Sequence, residues 1–154
     1  MKESASLTRC CIDDLDPVQD LGRLVSYLRT NLVDHLDTAL TPIDLTSAQY
    51  IVVVLLARGT VNTLAQLCDH MVYDRGAMSR LLTRLEEKDL VEKIQSSEDR
   101  RSTLLRLTDK GQKLYPDILP IVNKIYQNAL IDFSENEKKQ LAELLFRAIH
   151  NLKS

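Results

Sequence analysis

Two hydrophobic patterns follow each other between Asn62 and Gly111, and this succession constrains the fold more than any other feature of the chain. Apolar residues first recur at steps of three and four, as they do on one face of a helix. A break at 72–73 divides this part in two, and Asp74 is placed to cap the second helix by accepting hydrogen bonds from its free N–H groups. The apolar positions are Leu64, Leu67, Cys68 and Met71 in the first helix and Met78, Leu81, Leu82 and Leu85 in the second. The pattern predicts a short helix, a tight turn and a longer helix.

A β-hairpin is predicted directly after these helices. Val91–Gln95 and Thr103–Leu107 are short strand-like runs, and the polar segment 96–102 between them is turn-prone. Arg100 and Arg101 stand side by side in that segment. Because the negative potential of a DNA minor groove attracts guanidinium groups, a hairpin tip of this kind suits that groove.

Near its N-terminus, the outer face of the longer helix carries cations and small side chains, and it has no acid there after the cap. Such a face fits the major groove of DNA, where bases are read near the start of a helix and arginine also binds phosphate. We expect the first turns to face base edges, with Gly76 allowing a close approach, and the later positions to contact phosphates. The expected base contacts are Arg75, Ala77, Ser79 and Arg80, the expected phosphate contacts are Thr83, Arg84 and Lys88, and the expected minor-groove contacts are Arg100 and Arg101. For each arginine taken alone, an ordinary solvated surface is the alternative.

These segments resemble the winged helix-turn-helix of the MarR family of bacterial transcriptional regulators. The residues that carry the resemblance are Leu82–Val91, Asp99-Arg100-Arg101, Leu107–Gly111 and, at the start of the family's second helix, Leu45–Gln49. Asp89 departs from the family's glycine at the end of the recognition helix, although Asp tolerates a left-handed cap. Gly76 departs from the hydroxyl residue that is common in the family at that position.

The resemblance implies a mainly α fold with a small β-hairpin wing, that is, a winged helix-turn-helix plus a helical dimerisation domain. Residues 45–113 would form the DNA-binding domain, and residues 1–44 and 114–154 the helical dimerisation region. A homodimer would place two reading helices roughly 34 Å apart, so its double-stranded DNA target would be a palindromic operator with half-sites about 10 bp apart. Repression is the expected outcome, because a dimer that covers a promoter excludes polymerase. A monomeric helical bundle is the alternative.

Helices are also predicted before the central segment. The first begins near a capping Asp16 and keeps apolar residues at helical spacing through 18–39, until Thr41-Pro42 ends it. A helix of more than five turns is too long for one small domain to cover, which suggests contact with a second chain. Thr46–Gln49 is a capping box, so the apolar run Tyr50–Leu56 is interpreted as a helix and not as a buried strand.

Two more helices are predicted after the hairpin. Thr108 can cap the first of them, and Pro116 and Pro120 each remove a backbone donor inside it, so we expect a bend or local break there. Ser134–Glu137 is another capping box and starts the last helix. The residues expected to face inward in this last helix are Leu141, Leu144, Leu145, Ala148, Ile149 and Leu152.

The charge is unevenly distributed along the chain. The net charge is −2, yet residues 45–113 hold eleven Lys/Arg against nine Asp/Glu, whereas residues 1–44 hold four against eight. A local patch matters more than the total for phosphate binding, although so small an excess carries little weight. No apolar run approaches the roughly 20 residues that span a bilayer, and the first residues do not form a secretory signal. We therefore expect a cytoplasmic protein with no membrane partner.

No local motif supports catalysis. His35, His70 and His150 lack metal-site spacing, and no Cys-x-x-Cys, Gly-x-Ser-x-Gly, P-loop or dinucleotide fingerprint occurs. The sequence therefore predicts neither an enzyme nor a metal site, and it indicates no cofactor.

Several regulatory signals are compatible with the sequence. The resemblance implies a response to small aromatic acids, oxidants or metals, and our leading interpretation is a phenolic or lipophilic acid. Tyr27, His35 and Tyr115 could line its site, because each has a polar tip on a mostly apolar face, although ordinary packing is the commoner role of such residues. A thiol sensor that uses Cys10 and Cys11 is one alternative. A winged helix that binds a protein and not DNA is another, since fold alone does not decide function.

Overall fold

The fold is mainly α-helical with one β-hairpin, as the sequence predicts. The computed structural model describes residues 15–95 and 103–153, so the predictions made for Cys10, Cys11, Arg100 and Arg101 lie outside the described residues. The helices are α1 Leu21–Leu40, α2 Ser47–Ala57, α3 Leu64–Met71, α4 Arg75–Glu87, α5 Asp109–Ala129 and α6 Glu135–Asn151, and the strands are β1 Val91–Gln95 and β2 Thr103–Leu107. A short 3-10 turn, Thr41–Ile43, follows α1. The chain divides into two compact units, residues 1–35 and 36–154.

The first unit contains a capped turn and the first turns of α1. Asp16 Oδ1 accepts hydrogen bonds from the backbone N–H groups of Gln19 (2.7 Å) and Val18 (2.8 Å). These two bonds hold the pKa of the Asp16 carboxyl below its usual value. The apolar residues of this unit are largely uncovered: Val18 is 82% exposed and Leu21 is 51% exposed.

In the second unit, α2 is the central helix of the core. The Thr46 hydroxyl accepts from Gln49 N–H, and Gln49 Oε1 accepts from Thr46 N–H, both at 3.2 Å. This capping box starts the helix that was predicted, and Val52 and Val53 within it are fully buried. Helix α2 packs against α4, α5 and β2, so it supports the helix-turn-helix from behind.

The helix-turn-helix has the predicted apolar side. Met78, Leu82 and Leu85 are fully buried, and Leu81 is 8% exposed. Before them, α3 begins with a second capping box, between Thr63 and Gln66, which the sequence interpretation had missed although Thr-x-x-Gln is visible in the sequence.

The turn between α3 and α4 passes through a left-handed residue. Val72 ends α3 with φ 55°, a conformation that costs a β-branched residue more than most, and its side chain is 92% exposed. The chain reverses at this point without using a glycine.

The wing is an antiparallel pair with the predicted bounds. Val91 pairs with Leu107 at one end and Gln95 with Thr103 at the other. Leu105 N–H also donates to the Asn62 carbonyl at 2.8 Å. The wing is therefore hydrogen-bonded to the segment before α3 as well as within itself.

Helix α5 runs through both prolines, so the local break expected near them does not occur. Thr108 caps it as predicted, by accepting from Gly111 N–H at 3.1 Å. Pro116 and Pro120 lie four residues apart on the exposed side. Because this side of the helix is in contact with solvent, water can take the place of a missing donor and the helix need not break.

Helix α6 starts at the predicted capping box, where the Ser134 hydroxyl accepts from Glu137 N–H at 3.3 Å. The expectation that its apolar side faces inward is wrong for the single chain, since no residue of α6 is buried. Leu144 is 57% exposed and Ile149 is 54% exposed. Periodicity predicts which side of a helix is apolar, but it does not show whether the same chain covers that side.

Candidate nucleic-acid interface

The face of α4 opposite the core is an exposed surface of small and cationic side chains. Its buried side anchors the helix through Met78, Leu82 and Leu85, so the residues between them must point outward. The exposed residues are Arg75, Gly76, Ser79, Arg80, Thr83 and Arg84, and Ala77 is half-buried. These are the positions predicted to contact DNA, and the structure brings them together on one face.

The guanidinium groups of this face are not engaged elsewhere in the described fold. Arg75, Arg80 and Arg84 form no ion pair with any residue in 15–95 or 103–153, whereas Arg23 and Arg106 each pair with a carboxylate. An unpaired guanidinium can donate to phosphate or base acceptors without first breaking an internal bond. The charge on this face is therefore available to a ligand.

The first turn of α4 is capped by an aspartate and contains a glycine that leaves space on its surface. Asp74 Oδ1 accepts from Ala77 N–H at 2.8 Å, which confirms the predicted cap. A side chain at Gly76 would begin 3.2 Å from that carboxylate oxygen and 3.5 Å from Arg80 Nη1. The missing side chain leaves room both for the Arg80 head group and for close approach of a ligand.

Lys88, at the other end of α4, points away from this face. Its Nζ donates to the Asp44 carbonyl (2.5 Å), the Asp44 carboxylate (3.0 Å) and Gln49 Oε1 (3.1 Å). We call Asp44, Gln49 and Lys88 the α4 anchor. All three donors of the ammonium group are used, so the phosphate contact predicted for Lys88 does not fit this geometry.

The chain just after α4 is tied to the start of α5. Asp89 adopts φ 56°, so the left-handed turn survives without the family's glycine, as predicted. Its carbonyl accepts from the Thr108 hydroxyl at 2.6 Å, and the Lys88 carbonyl accepts from Lys110 Nζ at 2.7 Å. At Gly111 a Cβ atom would collide with the Leu90 carbonyl oxygen, so only glycine allows this close packing.

Comparison with known proteins agrees with this geometry. Residues 45–111 match a family model described as a winged helix DNA-binding domain. A cysteine-to-serine mutant of MarR from E. coli, solved in complex with operator DNA, is 28% identical, with a TM-score of 0.77 over 85% of this chain and 94% of that one. The chain is thus similar, over most of its length, to winged helix-turn-helix transcriptional regulators of the MarR family.

Two further relatives show the same similarity. A MarR transcriptional regulator from Methanosarcina mazei Go1 is 25% identical, with a TM-score of 0.77 over 86% of this chain and 96% of that one. The HTH-type transcriptional regulator BilQ of Clostridioides difficile is 28% identical over 127 residues, which are 82% of this chain and 86% of that protein. Relatives from distant organisms are thus transcriptional regulators that match most of the chain.

The protein also has a cavity of about 440 Å³ beside the α4 anchor. It is lined by Pro42, Ile43, Asp44, Lys88, Leu90, Lys110, Lys113, Leu114 and Asp117. Four of these residues are apolar, three are lysines and two are aspartates, and Lys113 is the lysine among them that makes no hydrogen bond with the described residues. Sequence reasoning missed this cavity, because its walls come from three separate segments.

The residues predicted to line an effector site lie elsewhere. Tyr115 is half-buried and packs on the core, and none of the three predicted residues lines the cavity. Tyr27 is 38% exposed on α1, and His35 on the same helix is also exposed. Cys68 of α3 is half-buried against the core, as expected for a packing role.

Metal and membrane features give no further candidates in residues 15–95 and 103–153. There, no group of three or more His, Cys, Asp or Glu side chains is arranged to hold a metal ion. No single helix in the same residues has the length and apolar character needed to cross a membrane, and one bent pair, Leu21–Ile43 with Ser47–Ala57, passes that test by length and composition only.

Proposed function

We propose that this protein is a homodimeric regulator that binds a palindromic operator in double-stranded DNA through the exposed face of α4. The observation that carries the proposal is that face itself, with Arg75, Arg80 and Arg84 exposed and unpaired in the described fold. The similarity to MarR from E. coli in complex with operator DNA supports it. A helix of these dimensions fits a major groove, and its N-terminal residues would read base edges.

Within this proposal the residues have distinct roles. Arg75, Ala77, Ser79 and Arg80 face base edges across the gap left by Gly76, and Thr83 and Arg84 contact phosphates. The wing residues Arg100 and Arg101 reach the neighbouring minor groove, a role that rests on the sequence alone. Lys88 is withdrawn from the set of phosphate contacts because its ammonium group is bound inside the fold.

We infer that residues 1–44 and 114–154 form the dimerisation region and residues 45–113 the DNA-binding domain. Helix α6 supports this division, because Phe146 is 72% exposed and Leu152 is 89% exposed on a helix with no buried residue. Exposed apolar surface of this extent in a soluble chain is typical of an interface. Val18 and Leu21 of the first unit are exposed in the same way.

We propose repression as the default action, with release by a small phenolic or lipophilic acid. The cavity beside the α4 anchor supports this choice over the thiol alternative, since it offers apolar walls and the exposed Lys113 ammonium group for a carboxylate. Cys10 and Cys11 lie outside the described residues, so no structural observation favours a thiol sensor. The cavity replaces Tyr27, His35 and Tyr115 as the proposed site.

Selection from a library of random DNA duplexes tests the proposal directly. The bound sequences should converge on two inverted half-sites about 10 bp apart. Sedimentation analysis should give a dimer, and a mobility shift on the selected duplex should be reversed by salicylate-like acids. If no sequence is enriched, the DNA-binding function is wrong, and a protein-binding winged helix becomes the better reading.

A further inference from the structure

The α4 anchor links the end of α4 to segments about 40 residues earlier in the chain. Three hydrogen bonds converge on Lys88 Nζ, and the Lys88 side chain is only 25% exposed, whereas that of Asp44 is 83% exposed. Lys88 is also the residue that ends α4, with its own N–H bonded to the Arg84 carbonyl at 3.3 Å. A tether at this residue acts on the whole helix, because the residues before it are one rigid rod.

Gln49 joins the anchor to the start of α2. Its Oε1 accepts two hydrogen bonds, from Thr46 N–H inside the capping box and from Lys88 Nζ. Gln49 is 3% exposed, and it is the only amide or charged side chain among the buried residues of the described fold. The start of α2 and the end of α4 therefore share one buried oxygen atom, which fixes the distance between them.

A second tether on the same few residues leads to α5. The Lys88 carbonyl accepts from Lys110 Nζ, and the Asp89 carbonyl accepts from the Thr108 hydroxyl. Helix α5 continues from there into the proposed dimerisation region. The direction of α4 relative to α2 and α5 is thus set at its C-terminal end, while its N-terminal end is held by its own cap and by apolar packing.

We propose that Lys88 is a positioning residue that sets the separation of the two operator half-sites by fixing the direction of α4. In a two-fold dimer, a change in the direction of each α4 moves both reading faces, and the half-site spacing must change with them. Adding one base pair to an operator shifts a half-site by roughly 3.4 Å and turns it by roughly 35°. A firmly held helix cannot follow that movement, but a loosely held one can. This inference rests on the proposed DNA-binding function.

The test compares spacing preference in the wild type and two variants. Wild type, Lys88→Met and Arg58→Met are each put through the duplex selection, and affinities are then measured on the selected operator and on versions longer or shorter by one base pair. Arg58 is the control because it is an exposed cation of the same domain, has no ion pair with the described residues and belongs to none of the proposed sites. We expect wild type and Arg58→Met to lose about tenfold or more in affinity per added base pair, and Lys88→Met to lose less than about threefold.

The ratio of affinities for operators of different half-site spacing distinguishes a positioning role from a simple loss of stability. A partly unfolded variant binds all operators less well by the same factor, so its ratio does not change. If Lys88→Met does not fold, Asp44→Gly decides, because glycine tolerates the left-handed φ of 55° at this position and removes the side-chain oxygen that accepts from Lys88 Nζ. An unchanged ratio in the folded variant overturns the inference and leaves the proposed function intact. Failure of wild type to enrich any sequence overturns the proposed function itself.

Discussion

The two ends of α4 differ in what their polar groups contact. At the N-terminal end, Arg75 and Arg80 are exposed and have no ion-pair partner in residues 15–95 and 103–153. At the C-terminal end, Lys88 Nζ has three acceptors, and the carbonyls of Lys88 and Asp89 each accept a side-chain donor from the start of α5. A polar group that is bonded inside the fold is not available to a ligand. The C-terminal end of α4 therefore fixes the direction of the helix, and the N-terminal end leaves its cations available to a ligand.

The largest expected effect comes from adding a side-chain atom where α5 packs against the segment that follows α4. In Gly111→Ala the new Cβ meets the Leu90 carbonyl oxygen, a backbone atom that cannot move aside cheaply. We expect a loss of about 3 kcal/mol in the free energy of unfolding, measured by urea denaturation. Gly22→Ala is the control, because a Cβ at Gly22 has no atom within 4 Å. Equal stability of the two variants would mean that α5 packs less closely on the wing than described.

At the N-terminal end of α4, Arg80→Ala should weaken DNA binding without affecting the fold. Losing one base contact costs about 1–3 kcal/mol, which is about 5- to 150-fold in affinity, and should relax base preference at one position of each half-site. The free energy of unfolding, measured by thermal denaturation, should change by less than about 0.5 kcal/mol, since the side chain is exposed. Lys124→Ala, an exposed change on α5, is the control for charge alone. If both variants lose affinity equally, the specific role of Arg80 is refuted.

Removing the cap of α4 should give a smaller effect on stability. Asp74→Ala deprives Ala77 N–H of its acceptor, and we expect a loss of about 1 kcal/mol in urea denaturation. Asp74→Asn keeps an acceptor and should lose much less. Should Ala and Asn behave alike, packing and not the cap would hold the first turn.

The smallest effect lies away from both ends, at the Tyr50–Tyr126 hydroxyl pair, whose oxygens are 2.6 Å apart. Burial and then this hydrogen bond raise the pKa of the Tyr50 hydroxyl above its ordinary value. A raised folded-state pKa gives stability that is complete below the unfolded-state pKa, about 10, and is lost as the pH rises above it.

Tyr50→Phe should therefore fall less steeply in stability above pH 10 than wild type does. Denaturation at pH 7, 9 and 11 measures the two slopes, and operator binding at pH 7 should be unchanged. Parallel slopes would mean that Tyr50 ionises as readily in the folded protein as in the unfolded chain.

Local features of the fold could be predicted from the sequence. The apolar spacing, the Asp74 cap and the turn residues around the wing gave α4, β1 and β2 with their observed bounds, and Asp89 takes the left-handed cap that short polar side chains tolerate. Each of these depends on residues within a few positions of one another, so the relevant partners are visible in the sequence itself.

Features that depend on distant or external partners could not be predicted. Lys88 was placed on phosphate because it follows an arginine-rich helix, whereas its acceptors are about 40 residues away. The apolar side of α6 was expected to face inward, and in the single chain no residue of this helix is buried. A bend or local break near Pro116 and Pro120 was expected from the missing donors alone, and α5 continues through both prolines on its exposed side. The cavity needs three segments to come together before it exists.

The shared oxygen of Gln49 has an evolutionary consequence. Gln49 Oε1 accepts hydrogen bonds from both Thr46 and Lys88. A substitution at any of these three positions therefore changes how much the other two residues contribute to stability. In descendants of this sequence these three positions should therefore be replaced together, as a coupled set. The exposed arginines of α4 share no such hydrogen bond in the described part of the chain, so they should be replaced independently of one another.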